Sequence, residues 1–318
     1  MPPESTTPRV SVIIPNWNGL GLLRPCLDAL RRQTYTDHEV IVVDNASADA
    51  SVAALRDEYP EVRVVVLPTN RGFAGGCNEG IRAARGEYIV TTNNDTEAEP
   101  GWLAALADAL DRHPEAGSAA ARIMLHDRRD TLHSAGDLFR RDGTPDSRGV
   151  WQRYGPPYDR ACYVFGGCGG ATMYRRAMLE EIGTFEEAFF MYCEDVDLNW
   201  RAQLAGWKCV YVPDAVIYHH LSATGGGPMS SYHVGRNTLW VLARNYPGGL
   251  WRRHWRAVVA RQWRITRDAL RTWRGAAARA RLRGQLAGLV GLLRWRQSRR
   301  AIQARRRVPD AYLESILD

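Results

Sequence analysis

From Val10 to Asp95 the chain alternates short β-branched runs with segments of helical apolar spacing, and three of those runs end in polar clusters. "VSVIIPNWNG" leads into "LLRPCLDALRRQ", "VIVVDNASAD" into "SVAALRDEY", and "EVRVVVLP" into "FAGGCNEGIRAARG", before "EYIVTTNNDT" closes the series. Continuous Val/Ile runs suit strands buried on both faces, and helices of about a dozen residues between them imply βαβ units. The expected fold is α/β, with a mainly parallel sheet covered by helices on both sides. Such a sheet takes its ligands at the carboxyl ends of its strands. The clusters at those ends are Asn16, Trp17 and Asn18; Asp44, Asn45 and Ser47; and Asn93, Asn94 and Asp95.

The alternation breaks after "PGWLAALADALDRHPEAGSAAARIML" into a Gly-, Asp- and Arg-rich excursion from His126 to Asp159. "ACYVFGGCGGATMYRRAMLEEIGTF" returns to strand, glycine turn and helix, and "KCVYVPDAVIYHH" adds two strand-like runs. Beyond Tyr246 the pattern is purely helical. Neither G-x-G-x-x-G after the first strand nor G-x-x-x-x-G-K-[ST] is present, so a dinucleotide or P-loop reading has no support. Asp44 could bond a base or ribose, or it could close an Asx turn that caps the next helix. Asp95 could offer a hard cation an oxygen ligand, or its neighbourhood could simply start the helix of "GWLAALADAL". His219 and His220, at the end of a strand-like run, could supply a second ligand or face solvent.

"FFMYCEDVDLNWRAQLAGWK" sets Glu194, Asp195 and Asp197 behind aromatic and sulfur-containing residues. A carboxylate held at a controlled pKa needs apolar neighbours of this kind. Acids in a first helical turn also complement the helix dipole, which is the simpler account.

Composition narrows the class. A chain of 318 residues, 45% hydrophobic, can bury one large core or two modest ones. Its six cysteines contain no C-x-x-C pair, which leaves reduced thiols of a cytoplasmic protein as the expectation. "MPPESTTPRV" has no secretory pattern, and no segment approaches the ~20 apolar residues of a membrane span. The net charge of +7 is unevenly placed: from Tyr246 onward 18 arginines face four acids, +14, which leaves residues 1 to 245 at −7. Along "WRRHWRAVVARQWRITRDALRTWRG" Trp251, Trp255, Val258, Val259, Gln262, Trp263 and Thr266 share one helical stripe. Arginine beside tryptophan suits an anionic membrane surface; a helical appendage covering the body or a dimer partner would show the same pattern. No motif for nucleic acid accompanies the charge.

Six motifs in order, "VSVIIPNWNG", "VIVVDNASAD", "NRGFAGGCNEGI", "NNDTEAEPGWL", the stretch from "FGGCGGATMYRRAML" through "YHHLSAT", and "YHVGRNTLWVLARNYP", carry a resemblance over roughly residues 9 to 247. The sequence resembles the bacterial inverting glycosyltransferases of family 2, rhamnosyltransferase-like branch. That resemblance implies the GT-A fold, a Rossmann-like mixed sheet, over residues 1–247, with a donor half at about 9–125 and an acceptor half at about 126–247. Residues 248–318 would be a basic helical extension. It implies a dTDP, UDP or GDP sugar as donor, a divalent metal (Mn²⁺ or Mg²⁺), and a glycan or polyprenyl-linked acceptor for cell-surface polysaccharide synthesis. The enzyme would work in the cytoplasm, peripherally at the inner face of the cell membrane.

Residue by residue, the D-x-D metal motif falls on Asn93, Asn94 and Asp95, with amide in place of the first acid. Asp95 and His219 are the implied metal ligands and Asp195 the implied base. Pro15, Asn16, Asn18, Asp44, Asn45, Arg71, Gly72, Asn78 and Asn94 are implied around the donor, and Gly169, Glu194, Asp197 and Arg236 around the acceptor. Asn45 replaces a more usual Asp, and Cys77 stands where many relatives carry arginine. A nucleotidyltransferase would require a glycine-rich basic loop that "PNWNGLGLL" lacks. A non-catalytic binder on the same fold would not need Asp95, Asp195 and His219 together.

Overall fold

The computed structural model describes residues 7–221 and 227–318; the first residues of "MPPESTTPRV" and the end of "YHHLSAT" lie outside them. Along the first half run β1 (Val10–Asn16), α1 (Leu20–Arg31), β2 (His38–Asp44), α2 (Ser51–Glu58), β3 (Arg63–Val66), α3 (Gly72–Ala83) and β4 (Tyr88–Thr92). Then come β5 (Thr96–Ala98), α4 (Trp102–Arg112), β6 (Ala116–Leu125), and short strands β7 (Leu132–Ser134), β8 (Asp137–Phe139), β9 (Pro145–Ser147) and β10 (Cys162–Val164). β11 (Ala171–Arg175), α5 (Arg176–Ile182), α6 (Glu194–Ala205) and β12 (Lys208–His219) complete the body. Five helices follow: α7 (Gly227–Asn245), α8 (Gly248–Arg271), α9 (Ala276–Val290), α10 (Arg296–Ala304) and α11 (Asp310–Ile316).

The main sheet runs β10-β12-β6-β11-β4-β1-β2-β3, with β5 on β12 and β7 on β6. β1 pairs in parallel with β2 and β4, β2 with β3, and β6 with β12. β11 is inserted antiparallel between β4 and β6 and joins the two parallel halves. Alternation along β1 shows why both faces must be covered. Val10, Val12 and Ile14 pack with Leu23 and Leu27 of α1 and Trp102 and Leu106 of α4, while Ile13 packs with Ala74, Cys77 and Ile81 of α3. Trp102 has no exposed surface, so truncating it to Ala would cost about 3–5 kcal/mol. Cys77 is equally enclosed and burial pushes its thiol pKa up, which makes it a packing residue of α3. All six cysteines are free thiols.

Register delivers the site. Asn16 is opposite Asp44 on β2, so the first two polar clusters abut. The boundary expected at 247/248 falls on Pro247 between α7 and α8, yet the tail is built into the body. A third apolar cluster joins Phe139 and Trp200 to Trp240, Trp295, Leu313 and Leu317, and the last residue donates its N–H to the Phe139 carbonyl at 3.0 Å. α7 and α9 touch through glycine: a Cβ on Gly284 would come within 2.1 Å of the Tyr232 carbonyl oxygen, so no larger residue fits that crossing. Among the described residues no helix is long and apolar enough to cross a membrane.

Candidate active site

Two groups of side chains meet a cleft of about 580 Å³ that runs along the carboxyl ends of β4, β6 and β12. On one wall Asp95, just past β4, lies with Oδ1 3.3 Å from Nε2 of His219, the last residue of β12. β5 brings them together, because Thr96 pairs antiparallel with His219. Asp95 is 1% exposed. Behind His219 stands His133 of β7, with the two Nδ1 atoms 3.1 Å apart and the rings stacked at 4.7 Å. Burial, then the neighbouring His219, pushes His133 down to about 4, so it stays neutral and its Nδ1 can accept. An Nδ1–H of His219 donated to that acceptor would leave Nε2, on Asp95's side of the cleft, for a cation. Sequence reasoning passed over His133, which sits in a three-residue strand inside the glycine-rich excursion.

On the other wall Asp195 opens α6. Its Oδ2 accepts the Gly169 N–H at 2.9 Å and its Oδ1 the Val196 N–H at 2.8 Å. Burial pushes its pKa up while those two donors pull it down. Glu194, 5% exposed, is pushed well above its usual range, first by burial and then by the charge of Asp195. The two carboxyls titrate as a pair, and the backbone donors favour the charge on Asp195 and the proton on Glu194. Gly169 is tied to the β4 end, since Thr91 Oγ1 donates to its carbonyl at 2.5 Å. A Cβ there would come within 3.3 Å of the Asp195 Cβ, so this close approach belongs to glycine.

The segment before Asp195 is backbone under constraint. Phe190, Tyr192 and Cys193 all have φ near +66° (67°, 65° and 66°), unusual for residues with a Cβ and held only where the surroundings impose it. Asn237 of α7, fully buried, directs its amide at the carbonyls of Phe189, Met191 and Tyr192 at 3.0, 3.0 and 2.7 Å. Arg236 donates to the carbonyls of Ala188 and Phe189 at 3.1 and 2.9 Å. Arg236, expected around the acceptor, thus spends its guanidinium on the segment that leads into Asp195. The same expectation for Asp197 is corrected. It has no exposed surface and binds Arg201, Arg244 and Asn245, tying α6 to α7.

The expected donor residues form one network beside the cleft. Asn94 donates to Asn16 Oδ1 at 2.8 Å, and Asn16 in turn to Asp44 Oδ1 at 3.4 Å. Asp44 also accepts the Ser47 N–H at 2.9 Å, three residues on, and caps no helix: α2 starts at Ser51 behind Ala50, without a side-chain cap. Asn18, at φ 50°, accepts the Ala48 N–H at 2.7 Å and holds the loops after β1 and β2 together next to Pro15 and Asn16. Asn45 accepts the Arg71 N–H at 3.2 Å, so both ends of this shelf are fixed by backbone bonds. Arg71 itself reaches Glu79 and Glu187. Gly72, at φ +70°, sits where a Cβ would strike the Phe190 carbonyl oxygen at 2.3 Å. Asn78, buried, exchanges hydrogen bonds with the Phe185 backbone at 2.8 and 3.1 Å and adds one to Glu187.

Comparison with known proteins agrees with this geometry. The model of glycosyl transferase family 2 matches residues 11–183. The N-acetylglucosaminyl-diphospho-decaprenol L-rhamnosyltransferase of Mycobacterium tuberculosis is 30% identical over 254 residues, which cover 71% of this chain and 81% of that protein. The amylovoran biosynthesis glycosyltransferase AmsB of Erwinia amylovora is 27% identical over 242 residues, 73% of this chain and 76% of AmsB. In fold, the chain is similar to a mannosyltransferase of Pyrobaculum calidifontis solved with GDP-Man and Mn²⁺, with a TM-score of 0.56 at 18% identity over 98% of this chain and 86% of that one. It is also similar to GalNAc-T7 solved with UDP, GalNAc and Mn²⁺, with a TM-score of 0.62 at 15% identity over 76% of this chain; the match spans about half of GalNAc-T7, 48%. Sheet order, the polar shelf at the strand ends and these matches lead to one conclusion: the chain is a glycosyltransferase and belongs to glycosyl transferase family 2.

Proposed function

We propose that the protein transfers a sugar, rhamnose or a related hexose, from a nucleoside diphosphate to a hydroxyl of a lipid-linked glycan, with inversion and with help from a divalent metal. The observation that carries this reading is the single cleft that holds Asp95 and His219 at one end and Asp195 at the other. One carboxylate oxygen and one imidazole nitrogen 3.3 Å apart suit two ligands of one ion at about 2.0–2.2 Å each. Mn²⁺ accepts such a mixed set more readily than Mg²⁺, which prefers oxygen alone. A bound metal would supply positive charge against the departing diphosphate.

The chain's own groups account for the rest. The shelf of Asn16, Asp44 and Asn45 offers hydrogen-bonding groups for base and ribose. Asp195 takes the proton of the acceptor hydroxyl; the acceptor oxygen bonds to the anomeric carbon as the bond from that carbon to the diphosphate oxygen breaks on the far side. Phe73, Met191 and Val196 line the cleft around Asp195 and keep out the water that would hydrolyse the donor.

A lipid-linked acceptor agrees with two further facts. The mycobacterial relative is named for a decaprenyl-diphosphate-linked substrate. Here Leu286, Leu289, Val290 and Leu293 are 64, 55, 77 and 71% exposed beside the arginines of the tail, and α7, α8 and α9 enclose an apolar groove of about 590 Å³. The deciding experiment measures thermal stabilisation by dTDP, UDP and GDP sugars with and without Mn²⁺, then single-turnover transfer with the donor that binds. Metal-independent stabilisation by every donor, or transfer that retains anomeric configuration, would overturn the proposal.

A further inference from the structure

His219 and His220 are adjacent in sequence but serve different neighbours. Leu125 pairs with His219 in parallel and Tyr218 pairs with Glu97 antiparallel, and both ladders run one residue further. The His126 N–H donates to the His219 carbonyl at 3.0 Å and the His220 N–H to the Asp95 carbonyl at 2.9 Å. Period-2 alternation therefore sets His126, His220 and Glu97 together on the side of the strand ends away from the His219 ring. Glu97 Oε1 lies 2.9 Å from His220 Nε2 and 3.3 Å from His126 Nε2. The two imidazoles stack at 3.7 Å, and one ligand atom of each of the three residues lies within 4.8 Å of the others.

We propose that Glu97, His126 and His220 form a metal site of their own, for a divalent cation of the Zn²⁺ class. Two neutral imidazoles and one carboxylate make a donor set of intermediate softness, which suits Zn²⁺ and leaves a coordination position for water. Ligand atoms on a tetrahedral ion at about 2.0–2.1 Å stand roughly 3.3 Å apart, close to the two carboxylate–imidazole separations of 2.9 and 3.3 Å. The side chains are 24–26% exposed, so an ion can enter without unfolding. Asp127 Oδ1, 3.3 Å from His126 Nδ1, can fix that ring with Nε2 toward the site. The ion would staple the ends of β5, β6 and β12, two of which carry Asp95 and His219. This site shares no ligand with the proposed donor metal and does not depend on the reading of the cleft.

The competing arrangement is metal-free, with both Nε2–H groups donating to Glu97. The full chain, stripped with EDTA, is titrated with ZnCl₂ by calorimetry and its zinc counted by elemental analysis. The Asp95→Ala chain should still take up one Zn²⁺. In that background Glu97→Gln or His126→Ala should weaken uptake by at least about tenfold, with the metal-free melting curve as the check on folding. A wild-type or Asp95→Ala chain that retains no zinc, or uptake unchanged by Glu97→Gln, overturns the proposal. Should the variants not fold, Co²⁺ bound to the Asp95→Ala chain decides: four- or five-coordinate visible bands support the site, and a pale six-coordinate spectrum refutes it.

Discussion

Replacing Asp197 by Asn keeps the side chain's volume and removes its charge from a position with no exposed surface. Its carboxylate accepts Arg201 Nε at 2.9 Å, Arg244 Nη1 at 3.0 Å and Asn245 Nδ2 at 2.7 Å. Breaking a buried ion pair by removing one partner costs about 3–5 kcal/mol, because the remaining charge has no counterion. Two details place the cost near the lower end. Arg201 keeps the carbonyls of Ile182, Gly183 and Thr184 at 2.7–2.8 Å, and Arg244 keeps Glu186 at 3.1 Å. With an unfolding entropy of about 2 cal/mol/K per residue, a loss of about 3 kcal/mol lowers the Tm of this chain by roughly 5 °C. Calorimetry measures that shift, and single-turnover transfer on the folded variant should remain near normal. A Tm unchanged to within about 1 °C, or a folded variant as inactive as one lacking the base, would return Asp197 to the acceptor site and refute the structural role.

Asp195→Asn should instead lower kcat by roughly 10²–10⁴ per folded molecule with donor affinity almost unchanged and a modest loss of Tm, since one of the two N–H groups it accepts loses its oxygen; Asp95→Ala should weaken donor binding in Mn²⁺, and an active Asp195→Asn chain ends the assignment of the base. Glu194 is raised by burial, so the native state favours its protonated form: that contribution is complete below the ordinary 4.5 and is lost as pH climbs toward the raised value. Glu194→Gln should therefore gain stability relative to the parent as pH rises above the ordinary 4.5, and parallel Tm-versus-pH curves would show that Glu194 ionises freely. The exposed apolar and arginine-bearing surface of α8 and α9 should float with anionic liposomes and release as salt shortens the screening length, while equal binding to neutral vesicles, or none to either, would remove the membrane from the account.

The parallel half of the sheet was readable in the sequence because β1, β2 and β4 are continuous β-branched runs that only burial on both faces explains. Of their polar ends, that of β4 lines the cleft through Asn93 and Asp95, since a strand that stops in Asn and Asp has reached water. The rest was hidden by length and by burial. β7, β8 and β9 have three residues each, too few for a period, so His133 gave no signal. In α6 every residue except Asp195 is buried, so no polar stripe distinguishes the acid facing the cleft from the two beside it. Arg236 and Asn237 look like surface residues of a helix, and nothing in the sequence marks the positive-φ segment of Phe190, Tyr192 and Cys193 whose carbonyls and neighbours their donors hold. The antiparallel insertion of β11 follows from the crossover preceding it, and periodicity does not report strand direction.

The glycine-tight crossing of α7 and α9 makes the tail part of the mechanism's frame. Asn237 leaves α7 to grip the loop before Asp195, and two residues earlier in the same helix Gly235 lies against the Arg281 carbonyl of α9, where a Cβ would come within 2.9 Å. Between α9 and the segment before Asp195 stand only one helix crossing and one amide. Cutting the chain after Asn245 would leave every expected catalytic residue in place and remove the brace behind them. Were Asp195 the base, a surface that shifted α8 and α9 would bear, through that brace, on the position of a single carboxylate.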